Sequence, residues 1–142
     1  AGLPHALRLD MAAALRQAPP DLRFRELGAG ETACKPAPFG DVVLARKDAP
    51  ASYHLCVTHD DAAQGVTLVT RAEDLRPATH LHRLLQALLG WPEPLYAHHA
   101  LLCGADGQRL AKRAGAPSLR GLREAGRSAR EVRALAGFPD RY

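Results

Sequence analysis

The sequence predicts an α/β fold that ends in two small helices. Short β-branched runs at 41–45 (DVVLA) and 65–70 (GVTLVT) alternate with segments of helical character. After Pro77, leucines at 81, 84, 85, 88 and 89 repeat at the spacing of one buried helix face. The chain has 142 residues, 46% hydrophobic and 24% charged, which is the size and composition of one globular domain.

Residues 1–40 are predicted to form a loop-rich connecting segment. Residues 5–9 are expected to form a short strand, and Asp10 to cap a helix that runs through Ala18 and stops at the following prolines. Prolines and glycines recur through 19–40, so most of that stretch is predicted to be loop.

Residues 41–117 are predicted to hold the main α/β part. Two strands, 41–45 and 52–58, are expected to pair as a hairpin across a turn at 46–51. The elements that follow are, in order, a helical turn at 60–64, a strand at 65–70, the leucine-rich helix ending at Gly90, a strand at 96–103, a tight turn at 104–107 and an irregular basic loop at 108–117.

Residues 118–142 are predicted to be a basic helical segment. Ser118 is expected to cap one helix, and Ser128 a second, with Glu131 at the capping-box position. Residues 107–142 carry nine Arg or Lys against three acids, a net charge of +6, whereas residues 1–106 carry −2. This basic end favours a polyanionic partner, although arginines that simply solvate helices account for it equally well.

Several common sites are not supported. Residues 28–33 (GAGETA) match the dinucleotide fingerprint, but Pro36 and Pro38 prevent the helix that this motif needs. Three widely spaced cysteines argue against a disulfide framework and favour the cytoplasm. His80 and His82 lie about 200° apart on a helix, so they do not converge on a metal. No apolar run approaches the roughly 18 residues needed to cross a membrane.

Two polar clusters are candidate binding residues. The loop 109–113 (RLAKR) places three cations within five residues, an arrangement that suits a triphosphate, and a solvated basic turn is the alternative. Arg71 stands at the C-terminal end of a strand, where α/β sheets bind ligands, and its planar fork matches a carboxylate. The alternative for Arg71 is a structural salt bridge with Glu73 or Asp74.

Six segments carry, in order and spacing, a resemblance to a known family. They are 52–55 (SYHL), 60–67 (DDAAQGVT), 71–75 (RAEDL), 88–92 (LLGWP), 96–99 (YAHH) and 109–113 (RLAKR). They resemble the second half of the catalytic domain of bacterial glutamyl-tRNA synthetases, over about residues 39–137. The chain is most similar to the short branch of that family, the glutamyl-Q tRNA(Asp) synthetases.

The resemblance implies a class I synthetase with a Rossmann-type fold, a ligase that makes glutamyl-adenylate from glutamate and ATP with Mg²⁺. In the short branch, glutamate is then transferred to queuosine of tRNA(Asp). Tyr53 and Arg71 fall on the glutamate-binding positions of the family. Its KMSKS-type signature loop falls on Arg109, Leu110, Ala111, Lys112 and Arg113, with Lys112 as the ATP-binding lysine.

The resemblance covers only part of the family's catalytic domain. Ala72, Ala111 and Ala114 replace the usual Gly, Ser and Asp, and the chain contains no HIGH motif. We therefore expect a C-terminal fragment that carries half an active site and is inactive alone, with zinc only through an upstream segment. Half a doubly wound sheet leaves an open strand edge, which predicts self-association or marginal stability.

Two other functions remain open. The three alanines favour a non-catalytic module that binds tRNA or nucleotide, whereas intact Tyr53, Arg71 and Lys112 favour catalysis. A fragment of a full glutamyl-tRNA synthetase is the third possibility. Only 29 residues follow Arg113, which favours the short branch.

Overall fold

The computed structural model describes residues 5–104, 107, 109–110 and 117–138. The chain divides into two compact units, Ala1–His99 and Ala100–Tyr142. The strands of the first unit are β1 (Leu7–Arg8), β2 (Arg23–Glu26), β3 (Gly30–Ala33), β4 (Val43–Ala45), β5 (Leu68–Ala72) and β6 (Leu95–His99). Its helices are α1 (Met11–Gln17), α2 (Tyr53–Ala63) and α3 (Arg76–Leu89).

A four-stranded sheet with the order β3-β2-β6-β5 forms the centre of the first unit. The pair β2–β3 is antiparallel, whereas β6 runs parallel to both β2 and β5. Helix α3 connects β5 to its neighbour β6, so the three elements form a βαβ unit. This arrangement confirms the α/β prediction. Strand β5 has a strand neighbour on one side only and is an edge of the described sheet.

Helix α3 is buried on two opposite faces. Leu81, Leu84 and Leu85 pack against Met11 and Ala14 of α1 and form the main apolar core. The opposite face carries polar residues that are also buried, namely Thr79, His82 and Gln86. The Gln86 amide on that face donates a hydrogen bond of 2.9 Å to the Tyr96 hydroxyl of β6. The leucine repeat therefore predicted one face of this helix correctly, while the polar face was not recognised.

The predicted strand at 52–58 is wrong, because these residues begin helix α2. Ser52 caps the helix, and its hydroxyl accepts the Leu55 N–H at 3.5 Å. The partly or fully buried positions of the helix are 54, 55, 57, 58, 61 and 62, which is close to helical spacing. Because His54, Thr58 and Asp61 are polar, hydropathy does not reveal this face. The predicted hairpin is also wrong, since β4 pairs with β1.

The predicted loop at 19–40 is wrong in its middle, where β2 and β3 form a hairpin. Phe24 and Glu26 are buried, whereas Arg23 and Arg25 are exposed, so β2 has the alternation of a strand. Only two of its four side chains face inward, and its pairing with β6 is a contact distant in sequence. Such a strand depends on tertiary pairing more than on local propensity.

Helix α1, helix α3 and the strands predicted at 5–9, 41–45 and 65–70 are confirmed with shifted ends. The helical turn predicted at 60–64 belongs to α2, and the strand predicted at 96–103 ends at His99. The turn and the basic loop predicted at 104–117 lie largely outside the described residues. Helix α1 is capped by Asp10, whose carboxylate accepts the Ala13 N–H at 2.8 Å. In the second unit, α4 (Leu119–Glu124) and α5 (Ala129–Leu135) begin after Ser118 and Ser128 as predicted. The Ser128–Glu131 capping box is formed in both directions. Among the described residues, no helix has the length and apolar character needed to span a membrane.

Candidate functional site

Three polar side chains form a row across the C-terminal ends of three parallel strands. Arg71 of β5 pairs in register with His98 of β6, and Glu26 ends β2 on the other side of β6. The His98 Nδ1 atom lies 3.0 Å from Glu26 Oε1, and Arg71 Nε lies 3.2 Å from His98 Nε2. This edge of a parallel sheet is where α/β proteins bind ligands.

Arg71 is held by neutral acceptors on three sides. Besides His98, its Nη1 contacts His82 Nδ1 at 3.1 Å, and its Nη2 donates a short hydrogen bond to the Thr79 hydroxyl. The guanidinium carbon lies 5.3 Å from the centre of the Tyr96 ring, in cation–π geometry. The plane of the guanidinium is thus fixed by α3 and β6 together.

The charge of Arg71 is not neutralised by an ion pair with any described residue. The predicted alternative, a structural salt bridge to Glu73 or Asp74, is therefore not formed. Burial lowers the pKa of Arg71, and Tyr96, Tyr53 and Asp61 act in the opposite direction. A half-buried cation without a direct anionic partner is electrostatically suited to a carboxylate ligand.

Two histidines extend the network beyond Arg71. Because a guanidinium only donates, His82 Nδ1 must accept, and its Nε2–H then donates to His54 Nδ1 at 3.0 Å. Burial above all, together with the charge of Arg71 and the neighbouring His54, lowers the pKa of His82 to about 3. Burial, followed by Arg71, also lowers the pKa of His54. Both imidazoles are therefore uncharged at neutral pH, and each can donate through one ring nitrogen and accept through the other.

Tyr53 lies beside this network at the first residue of α2. Its side chain is 54% exposed, and its ring centre is 5.5 Å from that of His54 and 6.2 Å from that of His82. It is close enough to Arg71 to raise that residue's pKa, against the effect of burial. The structure thus brings Tyr53 and Arg71 to one site, with Tyr53 on its solvent side.

Glu26 is the buried anion at the other end of the row. Its side chain is 7% exposed. The carboxylate accepts hydrogen bonds from both His98 and Arg76. The distance between Arg76 Nη2 and Glu26 Oε2 is 2.9 Å. Burial alone would raise the pKa of Glu26, but the contacts with His98 and Arg76 outweigh it and hold the pKa below its ordinary value. Glu26 is therefore ionised at neutral pH.

The signature loop is only partly described. Arg109 forms an antiparallel bridge with Cys103, and the Leu110 N–H donates to the Leu102 carbonyl at 2.9 Å. These contacts pair residues 102–103 with residues 109–110 within the second unit. Ala111, Lys112 and Arg113, which include the predicted ATP-binding lysine, lie outside the described residues.

The histidines of α3 diverge as predicted. His80 faces the β2–β3 hairpin, where its Nδ1 accepts the Lys35 N–H at 3.0 Å, while His82 faces Arg71. The described residues contain no group of three or more His, Cys, Asp or Glu side chains placed to hold a metal ion.

The second unit holds a basic cleft between α4 and α5. The cavity measures about 440 Å³. Its walls are formed by Arg120, Arg123, Arg127 and Arg133, and its apolar lining by Leu119, Ala129 and Val132. Arg127 also pairs with Glu131 at 3.1 Å. A cleft of this composition combines positive charge with an apolar floor, which suits a polyanion that carries planar groups.

The chain matches a known protein family over most of its length. Residues 2–130 match the family described as tRNA synthetases class I (E and Q), catalytic domain. The chain belongs to this family. The parallel strands and the crossover helix are consistent with its class I fold, which the resemblance of the six segments predicted.

Curated members of the class I synthetase family are similar to the chain over most of its length. A glutamyl-Q tRNA(Asp) synthetase of Rhodobacter capsulatus is 54% identical over 99 residues, which are 70% of this chain and 36% of the relative. A glutamate–tRNA ligase of Aquifex aeolicus is 41% identical over 103 residues, 72% of this chain and 22% of the relative. The chain thus spans about a third or less of the length of these relatives.

A solved structure of the family agrees with the fold. The crystal structure of a glutamate tRNA ligase from Elizabethkingia meningosepticum, in complex with its amino acid, is 29% identical to the chain with a TM-score of 0.52. The match covers 80% of this chain and 20% of that one.

Sequence reasoning did not find five members of the network: Glu26, His54, Thr79, His82 and His98. Glu26 lies in a stretch predicted to be loop, and His54 in one predicted to be a strand. One signal was available, since the alternation of 24–26 (FRE) places Glu26 on the same strand face as Phe24.

Proposed function

We propose that this chain forms the glutamate-binding and ATP-loop part of a glutamate-activating ligase. The observation that carries the proposal is the half-buried Arg71 guanidinium, which is fixed by neutral acceptors and has no ion pair in the described chain. A carboxylate of glutamate would supply the missing charge, and the Tyr53 hydroxyl would bind it from the solvent side. The loop lysine, Lys112, would contact the phosphates of ATP.

In the proposed reaction, a carboxylate oxygen of glutamate attacks the α-phosphorus of ATP and pyrophosphate leaves. Arg71 and Tyr53 orient the amino acid, so that the reacting carboxylate is placed for in-line displacement. Lys112 stabilises the negative charge that develops on the departing pyrophosphate. Mg²⁺ would be held mainly by the phosphates of the nucleotide, as is usual for this ion, and would neutralise part of their charge.

We further propose that the acceptor is tRNA(Asp) bearing queuosine, reached in the cytoplasm. Sequence identity to a glutamyl-Q tRNA(Asp) synthetase supports this acceptor. The arginine-lined α4–α5 cleft supports a nucleic-acid partner, because RNA phosphates are bound mainly by Arg and Lys. A glutamate–tRNA ligase acting on tRNA(Glu) is the second candidate, supported by the relative from Aquifex aeolicus.

The test is a chimera in which this chain replaces the matching part of the Rhodobacter capsulatus synthetase. We expect glutamate-dependent ATP–pyrophosphate exchange without tRNA. Arg71→Ala should lower kcat/KM for glutamate about 10- to 100-fold, since hydrogen bonds to charged groups contribute about 1.5–3 kcal/mol. Lys112→Ala should lower the exchange rate about 30- to 1,000-fold.

Two exposed cations serve as matched controls, Arg46→Ala and Lys47→Ala, and both should leave the exchange unchanged. Transfer of labelled glutamate to queuosine-bearing tRNA(Asp), but not to unmodified tRNA(Glu), would support the proposed acceptor. Exchange activity that survives the combined Arg71→Ala and Lys112→Ala substitutions would refute the residue assignments. A chimera that binds tRNA and folds but shows no exchange would favour the non-catalytic module.

A further inference from the structure

We propose that Glu26 is a positioning residue for Arg71, which it orients by fixing the tautomer of His98. The inference rests on the proposed function, because Arg71 matters to catalysis only if it binds glutamate. Glu26 lies 45 positions before Arg71 in the sequence and acts on it without contacting the ligand.

The Glu26–His98 pair is buried. The side chains are 7% and 3% exposed, respectively, so water does not compete strongly for their hydrogen bond. Glu26 is ionised and can only accept, which requires His98 to carry its proton on Nδ1. The carboxylate thereby selects one of the two neutral tautomers of the imidazole.

The other ring nitrogen of His98 faces Arg71. With the proton on Nδ1, His98 Nε2 is a lone-pair acceptor, and Arg71 Nε donates to it at 3.2 Å. In the opposite tautomer, an N–H of His98 would face an N–H of Arg71, and this hydrogen bond would be lost. A carboxylate that acts on a histidine in this way is common at sites where ring orientation matters.

The contact with His98 helps to orient the Arg71 guanidinium. The Nε contact with β6 and the Nη contacts with α3 come from different elements, so together they fix the rotation of the guanidinium plane. One further N–H remains on each Nη nitrogen by the chemistry of the group. Those are the donors that a ligand carboxylate would meet, and their direction depends on the Nε contact.

Arg76 makes Glu26→Gln an informative variant. Both Arg76 Nε and Nη2 donate to Glu26 Oε2, at 3.1 Å and 2.9 Å. In the variant, Arg76 should retain the amide oxygen and turn the amide NH₂ towards His98 Nδ1. His98 would then place its proton on Nε2, against Arg71. Removing Arg76 in the same chain frees the amide to rotate and to present its oxygen to His98.

The experiment measures ATP–pyrophosphate exchange in the active chimera and the histidine ¹⁵N shifts in the same protein. Glu26→Gln should raise KM for glutamate about tenfold, with kcat changed less than twofold, and should move the His98 proton from Nδ1 to Nε2. The double variant Glu26→Gln with Arg76→Ala should recover most of both changes. Arg76→Ala alone and Glu31→Gln, on the exposed strand of the same hairpin, should change neither.

The outcomes separate the two proposals. If Arg71→Ala leaves KM for glutamate unchanged, the proposed function fails, whatever the Glu26 variants do. If Arg71→Ala raises KM but Glu26→Gln leaves KM or the His98 tautomer unchanged, the positioning role is overturned. A double variant that is no better than Glu26→Gln would also overturn it, since a simple loss of fold stability is not repaired by removing a second partner.

Discussion

His82 should make the stability of the fold depend on pH in the acid range. His82 is only 3% exposed. Burial is the main cause that lowers its pKa from an ordinary value of 6.5 to about 3. Between these two values the unfolded chain binds a proton at His82 and the folded chain does not. The free energy of unfolding must therefore fall as pH falls through this window.

The size of the effect follows from the two pKa values. Protonation of His82 in the unfolded chain should remove about 2 kcal/mol of stability between pH 7 and pH 5. The variant His82→Asn removes the titrating group and retains an acceptor for Arg71, because the amide oxygen of Asn lies close to the position of Nδ1. Between pH 7 and pH 5, the free energy of unfolding of the variant should therefore fall by about 2 kcal/mol less than that of the wild type.

Urea unfolding followed by Trp91 fluorescence at pH 5, 6 and 7 measures this difference. Other titrating groups, including His54 with its lowered pKa, are common to both proteins and largely cancel in the comparison. The absolute stability of His82→Asn does not enter the test, which compares slopes against pH. Parallel slopes for the two proteins would refute the buried neutral state of His82.

Two further predictions concern the scaffold. Leu84→Ala should lower the free energy of unfolding by about 3 kcal/mol, because Leu84 is fully buried. Leu89 lies on the same helix but is 49% exposed, so Leu89→Ala should lower that free energy by less than half as much. Urea denaturation measures both values. Burial raises the pKa of the Cys34 thiol to about 11, so iodoacetamide at pH 8 should alkylate the exposed Cys56 and Cys103 at least about tenfold faster, as read by mass spectrometry. Equal labelling of all three cysteines would contradict the burial of Cys34.

The sequence predicted those elements whose signals are local. Asp10, Ser118 and Ser128 cap helices where their side chains predicted them to, because a capping hydrogen bond spans only three residues. The leucine repeat predicted α3 for a similar reason, since its apolar face follows a single period. Arg71 was also placed correctly, at the end of a strand.

The elements that were wrongly predicted depend on contacts distant in sequence or on polar buried faces. Helix α2 turns His54 and Thr58 inward, so its hydropathy pattern does not follow its burial pattern. Strand β2 pairs with β3 in a hairpin, and its other neighbour in the sheet, β6, lies about 70 residues further along the chain. The Glu26–His98–Arg71 row combines both difficulties, and no short motif contains it.

The two buried faces of α3 have separate roles, one in packing and one in hydrogen bonding. Substitutions among Leu81, Leu84 and Leu85 act on the packing against α1, while the hydrogen bonds to Arg71 come from Thr79 and His82 on the other side. Natural or engineered sequences can therefore repack the leucine side to gain thermal tolerance without changing the hydrogen bonds that hold Arg71. Under the proposed function, selectivity for a different acid would conversely be sought on the histidine side of an otherwise unchanged scaffold.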